Sequence, residues 1–216
     1  MKKTSLALAL IIIAFSCPAQ NLFGIFAGPQ VTTAKYSVKD VKQPTQSKFG
    51  FQAGATLKVP FDVNLFFSPA IFYSLKGYKV NFNQYTYPPD TLAINNNTTI
   101  HTLEVAALLQ FDFGNQPNHF FVKGGPSADF QVTGNEKYDL RSGGSVDRSM
   151  PFAFTAYGHY SVNFLLQFGY ETKNGLIIFG QFNNGLTNIN NADAGPMIKH
   201  RAFGISIGKY LNLKKS

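Results

Sequence analysis

Thr102–Val132 reads TLEVAALLQFDFGNQPNHFFVKGGPSADFQV, and this stretch decides the fold. Leu103, Val105, Ala107, Leu109, Phe111 and Phe113 occupy every second position of its first half, with Thr102, Glu104, Gln110 and Asp112 among the alternates. Side chains two apart share a face of a strand, so one face is apolar and the other charged. Gly114-Asn115-Gln116-Pro117-Asn118 is turn chemistry. The second half repeats the alternation, with Phe120, Val122, Gly124, Pro126, Ala128, Phe130 and Val132 set against Lys123, Asp129 and Gln131. Glu104–Leu109 contains good helix formers, but a helix there would have no clean polar stripe. The stretch is therefore read as a hairpin of two long strands.

The same pattern recurs outward from this hairpin. Leu22–Thr33, Phe49–Val59, Leu65–Lys76, Val162–Phe168, Leu176–Phe182 and Lys199–Leu211 read as six further strands. Short turns follow the second, fourth and sixth strands, and longer polar segments follow the first, third, fifth and seventh. Antiparallel neighbours reverse direction, so short turns collect at one end and long loops at the other. The expected fold is all-β: a closed eight-stranded antiparallel up-and-down transmembrane β-barrel. The expected outer loops include 81–99, 134–150 and 184–197.

Alternation alone does not say which face points inward, and a secreted soluble barrel binding an apolar ligand would carry the same pattern reversed. Three features favour apolar-out. Lys58, Lys76, Glu104, Asp112, Lys123 and Asp129 lie opposite the apolar face, where a barrel interior can pair them. The strands reach the ~9–11 residues that a tilted strand needs to span a bilayer. Tyr73, Tyr78, Tyr170 and Tyr210 near strand ends suit interfacial girdles. Pro29, Pro69 and Pro126 cannot donate to a ladder, so bulges or missing bonds are expected there.

Residues 1–19 read as a secretory signal peptide: Lys2 and Lys3, then an apolar Leu6–Phe15, then small residues at Cys17 and Ala19. Cleavage after Ala19 leaves residues 20–216 as one barrel domain. A lipoprotein reading of Cys17 meets a poor lipobox in Ala14-Phe15-Ser16. No later apolar run is long enough for a transmembrane helix. Charged residues make up 14% of the 216-residue chain and aromatics 15%, with 22 Phe and no Trp, which excludes disorder and long-helix folds. The basic residues are spread rather than clustered into a recognition motif, so no nucleic acid is expected.

Counting from the turn at Gly114–Asn118 puts Asp112 across from Phe121 and Glu104 across from Asp129. Opposed carboxylates repel. Lys76, on the neighbouring strand, is the expected partner, with Gln131 and His101 completing hydrogen bonds. His159 and Ser161, two apart, raise the reading of a barrel-embedded lipid-modifying hydrolase, but no oxyanion motif accompanies them. His101, His119, His159 and His200 show no metal-ligand spacing, and no cofactor is expected. Asp90-Thr91-Leu92 resembles a short O-glycosylation signal.

Thr102–Phe113 (TLEVAALLQFDF), Phe121–Asp129 (FVKGGPSAD), Phe179–Asn190 (FGQFNNGLTNIN) and His200–Tyr210 (HRAFGISIGKY) resemble strands of the PorT-like outer-membrane β-barrel family of the Bacteroidota. Gly185-Leu186-Thr187-Asn188 is the most specific piece. The resemblance implies an outer-membrane location and no particular activity. The expected work is structural, adhesive or partner-binding through the outer loops, without catalysis. Outer-membrane lipid and lipopolysaccharide are expected surroundings, with an envelope protein as a further partner.

Overall fold

A computed structural model describes residues 21–211; the signal segment 1–19 lies outside them. The elements are β1 (Leu22–Val38), β2 (Val41–Lys42), β3 (Thr45–Asp62), β4 (Leu65–Phe67), β5 (Ala70–Asn81), β6 (Asn95–Ala106), β7 (Leu109–Phe113), β8 (His119–Asp139), β9 (Ser145–Ser149), β10 (Tyr160–Glu171), β11 (Leu176–Gly185) and β12 (Met197–Leu211). All strand pairings among them are antiparallel. Going round from β1, the ladders run through β3, β5, β6, β8, β10, β11 and β12 and return to β1, a closed ring of eight strands.

Twelve elements arise from eight expected strands because two are interrupted and two outer connections are themselves paired. Leu65–Lys76 is split into β4 and β5 at Ser68-Pro69, since proline offers no amide to the ladder. Beside it, Thr102–Phe113 is split at Ala107-Leu108, where Leu108 puts a buried apolar side chain among the polar alternates. The interrupted segments bond across the gap instead: Ser68 N–H donates to Leu108 at 2.8 Å, and Ala107 N–H to Pro126 at 3.0 Å. At Pro29 the β1–β12 ladder skips Gly28 and Pro29 without changing register. Much of the expected outer loops is strand: β6 begins at Asn95, and β8 runs on to Asp139 and pairs with β9.

The wall has a polar-aromatic inner face and an apolar outer face. All six charged residues placed opposite the apolar stripe are buried inside. Outside stand Leu109, Phe111, Phe164, Phe168, Phe203, Ile205 and Ile207, all exposed. The girdle reading holds for neither Tyr78 nor Tyr210, which share parity with the inward side chains of their strands and are buried inside. From the turn end to the loop end, the inner face of β5 shows the layering: Ala70 and Phe72, then Ser74 and Lys76, then Tyr78 and Val80. The first pair belongs to an apolar cluster with Phe26, Phe121, Leu165 and Phe179. The last pair belongs to a second cluster with Tyr36, Tyr138, Tyr157, Ile189 and Ile198, which plugs the loop end.

Small residues admit these large inner side chains. A Cβ on Gly54 would lie 2.2 Å from Phe72 Cβ and 2.3 Å from the Ile71 carbonyl oxygen. On Gly180, which faces outward, the nearest atom would be 3.9 Å away. Gly54→Val is therefore expected to abolish folding in detergent, while Gly180→Ala folds like the parent. Gel mobility with and without heating reads both outcomes, because a folded barrel migrates differently from its boiled form.

Candidate functional site

The polar belt between the two apolar clusters is the candidate site. Strand register sets it up: Glu104 on β6 pairs directly with Asp129 on β8, and Asp112 with Phe121. Lys76 is across from Ile100 rather than Glu104, but its long stem reaches back along the strand. Its Nζ donates to Glu104 Oε2 at 2.9 Å and to both Asp129 oxygens at 2.8 and 2.7 Å. Lys76 is 2% exposed, and both acids are 0%. The second Glu104 oxygen accepts from Ser127 at 2.5 Å and from Asn183 at 2.6 Å. Two carboxylates thus face each other across a ladder with one ammonium between them, and neutral donors satisfy the remaining oxygen.

Gln131 lies inside, where its Nε2 donates to Ser161 Oγ at 3.2 Å, and Ser161 stands 3.5 Å from Asp129. His101 is elsewhere. It has the opposite parity to Glu104, so the strand turns it outward, where Nδ1 and the Tyr73 hydroxyl are 2.6 Å apart. His159 is exposed before the start of β10 and packs on the Phe152 ring, whereas Ser161 faces the interior. The Ser161–His159 pairing that a hydrolase needs is not assembled.

A second charged group at the turn end was not read from the sequence. Lys58 Nζ sits 2.6 Å from Asp112 and 2.7 Å from Glu171. His119 Nε2 approaches the same two acids at 3.0 and 3.4 Å. Asp112, His119 and Glu171 could close around a metal ion by distance alone, a grouping that linear spacing hid because it joins three separate segments. However, the Lys58 ammonium takes the place between the carboxylates that a cation would need. Above this group Lys123 Nζ donates to Ser68 Oγ and Tyr210 Oη, both at 3.1 Å.

At the loop end Glu136 also faces inward. A bulge puts one extra residue, Val132, into β8 between Gln131 and Thr133, which reverses the strand's parity. Glu136 accepts from Arg148 Nε at 2.8 Å and from the Tyr157 hydroxyl at 2.8 Å. Burial, with Tyr78 and Glu136 close by, pushes the Tyr157 phenol well above its usual range, so it remains a donor. Thr187 and Asn188, from the Gly185–Asn188 motif, tie the last loop down. Thr187 Oγ1 accepts from Val162 N–H at 2.8 Å, and Asn188 Oδ1 from Ile198 N–H at 2.7 Å.

Residues 18–191 match the family described as outer membrane protein beta-barrel domain. Among solved structures the chain is similar to OprG from Pseudomonas aeruginosa, with 11% identity, a TM-score of 0.49, and 90% of this chain and 97% of that one covered. It is also similar to Ail, the attachment invasion locus protein of Yersinia pestis, in complex with the heparin analogue sucrose octasulfate. There the identity is 12% and the TM-score 0.47, covering 89% of this chain and 99% of that one. For Neisserial surface protein A the values are 11%, 0.42, 87% and 97%. No curated protein matches the chain. The chain belongs to the outer membrane protein beta-barrel domain family, and its place is the outer membrane.

Proposed function

We propose that this protein is an eight-stranded up-and-down transmembrane barrel with its apolar wall in lipid, closed to solutes, which works by presenting its outer loops to an envelope or surface partner. The carrying observation is the filled interior. Two apolar clusters sandwich a hydrogen-bonded polar belt, and the upper cluster plugs the loop end. An eight-stranded ring leaves room for side chains and not for a channel. The Lys76–Glu104–Asp129 group, with Gln131 beside it, then serves as an internal clamp rather than as a catalytic or conducting site. Within the family, the Gly185–Asn188 motif and its role at the base of the last loop support a PorT-like assignment.

The loops 81–99, 134–150 and 184–197 are built to hold a shape. Ile94 N–H donates to Asp139 at 2.9 Å and Arg141 N–H to Leu92 at 2.9 Å, joining the first of these to the second. Apolar rings nonetheless stand out from this end, with Phe154 90% exposed. Exposed aromatic groups on a rigid platform are suited to docking a partner.

Two outcomes test these readings. A photo-crosslinking side chain in place of Phe154 is expected to give a discrete adduct on intact cells, and one in place of Phe61, at the end of β3 beside the β3–β4 turn, none. An adduct from Phe61 alone would contradict the loop assignment. Lys76→Met should cost about 3–5 kcal/mol, because it strands opposed carboxylates in a buried interior. A large fall in melting temperature, partly recovered by adding Glu104→Gln, is the expected result. Unchanged melting of Lys76→Met would show that the clamp contributes nothing.

A further inference from the structure

The outer face of the β1–β12 seam carries a feature that the interior does not explain. From Ala27 toward the loop end, its outward rungs are Ala27↔Ile207, Val31↔Phe203, Thr33↔Arg201, Lys35↔Lys199 and Ser37↔Met197. Beyond Lys209 at the turn end, the wall is apolar from Ala27↔Ile207 up to Phe203 and becomes basic at the next rung, about 7 Å further on. Lys35 and Lys199 are direct ladder partners, an arrangement that repels. Lys42, on β2, and Arg201 join them around a recess of about 410 Å³ whose lining contains no acidic residue. None of the salt bridges among the described residues involves these four cations. Among the described residues, the Arg201 side chain donates only to the neutral Asn184, at 3.3 Å.

Below the cations the wall is hollowed. A groove of about 690 Å³ runs across β10, β11, β12, β1 and β3, bounded by Val31, Phe49, Leu166, Phe203 and Ile205, with Gly180 on its floor. The missing side chain at Gly180 leaves the space: no atom outside its own neighbours comes within 3.9 Å of where its Cβ would be. Val31 and Phe203 border the groove, and Thr33 and Arg201, one outward rung on, border the basic recess. The two are therefore continuous.

We propose that this seam is a binding site for the phosphorylated glycolipid of the outer leaflet, the lipid A portion of lipopolysaccharide. Its phosphates would be held by Lys35, Lys42, Lys199 and Arg201, with an acyl chain in the groove beneath. Charge complementarity carries the headgroup half: closely set cations without an acid, at the height where lipid meets water, call for a multiply charged anion. Long basic side chains reach such an anion while their stems stay on the apolar wall. Continuity of the basic recess with an apolar groove carries the other half, because free phosphate or a polyanionic sugar would leave the groove unused. The inference rests on the apolar wall lying in lipid with the loops outward.

Native mass spectrometry of the full-length protein in detergent micelles tests it, with lipid A, phosphatidylglycerol and phosphatidylcholine as separate probes. Wild type should retain one lipid A and release both phospholipids at lower activation. The triple variant Lys35→Gln/Lys199→Gln/Arg201→Gln should weaken lipid A binding on the order of a hundredfold, at roughly fivefold per cation. Gly180→Leu, which fills the groove without touching a charge, should weaken it as well. Retention of lipid A by the triple variant at wild-type strength overturns the site. So does phosphatidylglycerol held as firmly as lipid A, which would show only a generic anionic collar. Heat-modifiable migration separates the causes: a folded barrel indifferent to lipid A sinks this inference alone, whereas a chain that folds in no detergent sinks the barrel reading with it.

Discussion

One ammonium group, that of Lys76, stands between two carboxylates that the strand register forces to face each other. Glu104 and Asp129 cannot move apart, because each is fixed by its own place in the β6–β8 ladder. Taking three charges out of water costs several kcal/mol per ion, and attraction offsets this only where geometry and hydrogen bonding are complete. Here both Asp129 oxygens meet the ammonium, while Ser127 and Asn183 complete Glu104. Contacts from β5, β6, β8 and β11 converge on one point, so the clamp ties together strands on different sides of the ring. Lys58 repeats the device at the turn end with Asp112 and Glu171.

The rest of the interior follows from keeping that belt dry. Phe26, Phe72, Phe121 and Phe179 close it from below, and tyrosines close it from above, the Tyr157 hydroxyl donating to Glu136 and that of Tyr36 to the Pro88 carbonyl. Such large groups fit inside an eight-strand ring only where the facing positions are glycine, as at Gly54 against Phe72. The outer wall is left free to be apolar, since its backbone groups are spent within the closed ladders. Two departures from a plain apolar surface, the groove over Gly180 and the basic rungs above it, fall on the same seam.

Parity made most of this legible in the sequence. It placed Lys58, Lys76, Glu104, Asp112, Lys123 and Asp129 on one face, and counting from the Gly114–Asn118 turn gave the Glu104–Asp129 register. His101 has the wrong parity for the group it was assigned to, so the same rule, applied strictly, would have excluded it, and likewise Tyr78 and Tyr210 from the girdle. What parity could not give was the effect of bulges. Val132 reverses the rest of β8 and brings Glu136 and Tyr138 inside, and no residue pattern marks that shift. The group around Lys58 was hidden for another reason: Asp112, His119 and Glu171 sit on three neighbouring strands, β7, β8 and β10, and no single stretch of sequence shows them together. Polar composition made the outer connections look like loops, although strands continue past the wall and pair there.

The central claim is that the apolar face looks outward into lipid and the charged face inward. Because the chain has no tryptophan, a single introduced indole reports on its own surroundings. Phe164→Trp on the outer wall and Phe179→Trp inside can each be reconstituted into vesicles containing lipids brominated along the acyl chain. Strong quenching of the Phe164→Trp emission, with the Phe179→Trp emission nearly untouched, is the result expected. Quenching at position 179 with position 164 open to an aqueous quencher would mean that the faces are reversed.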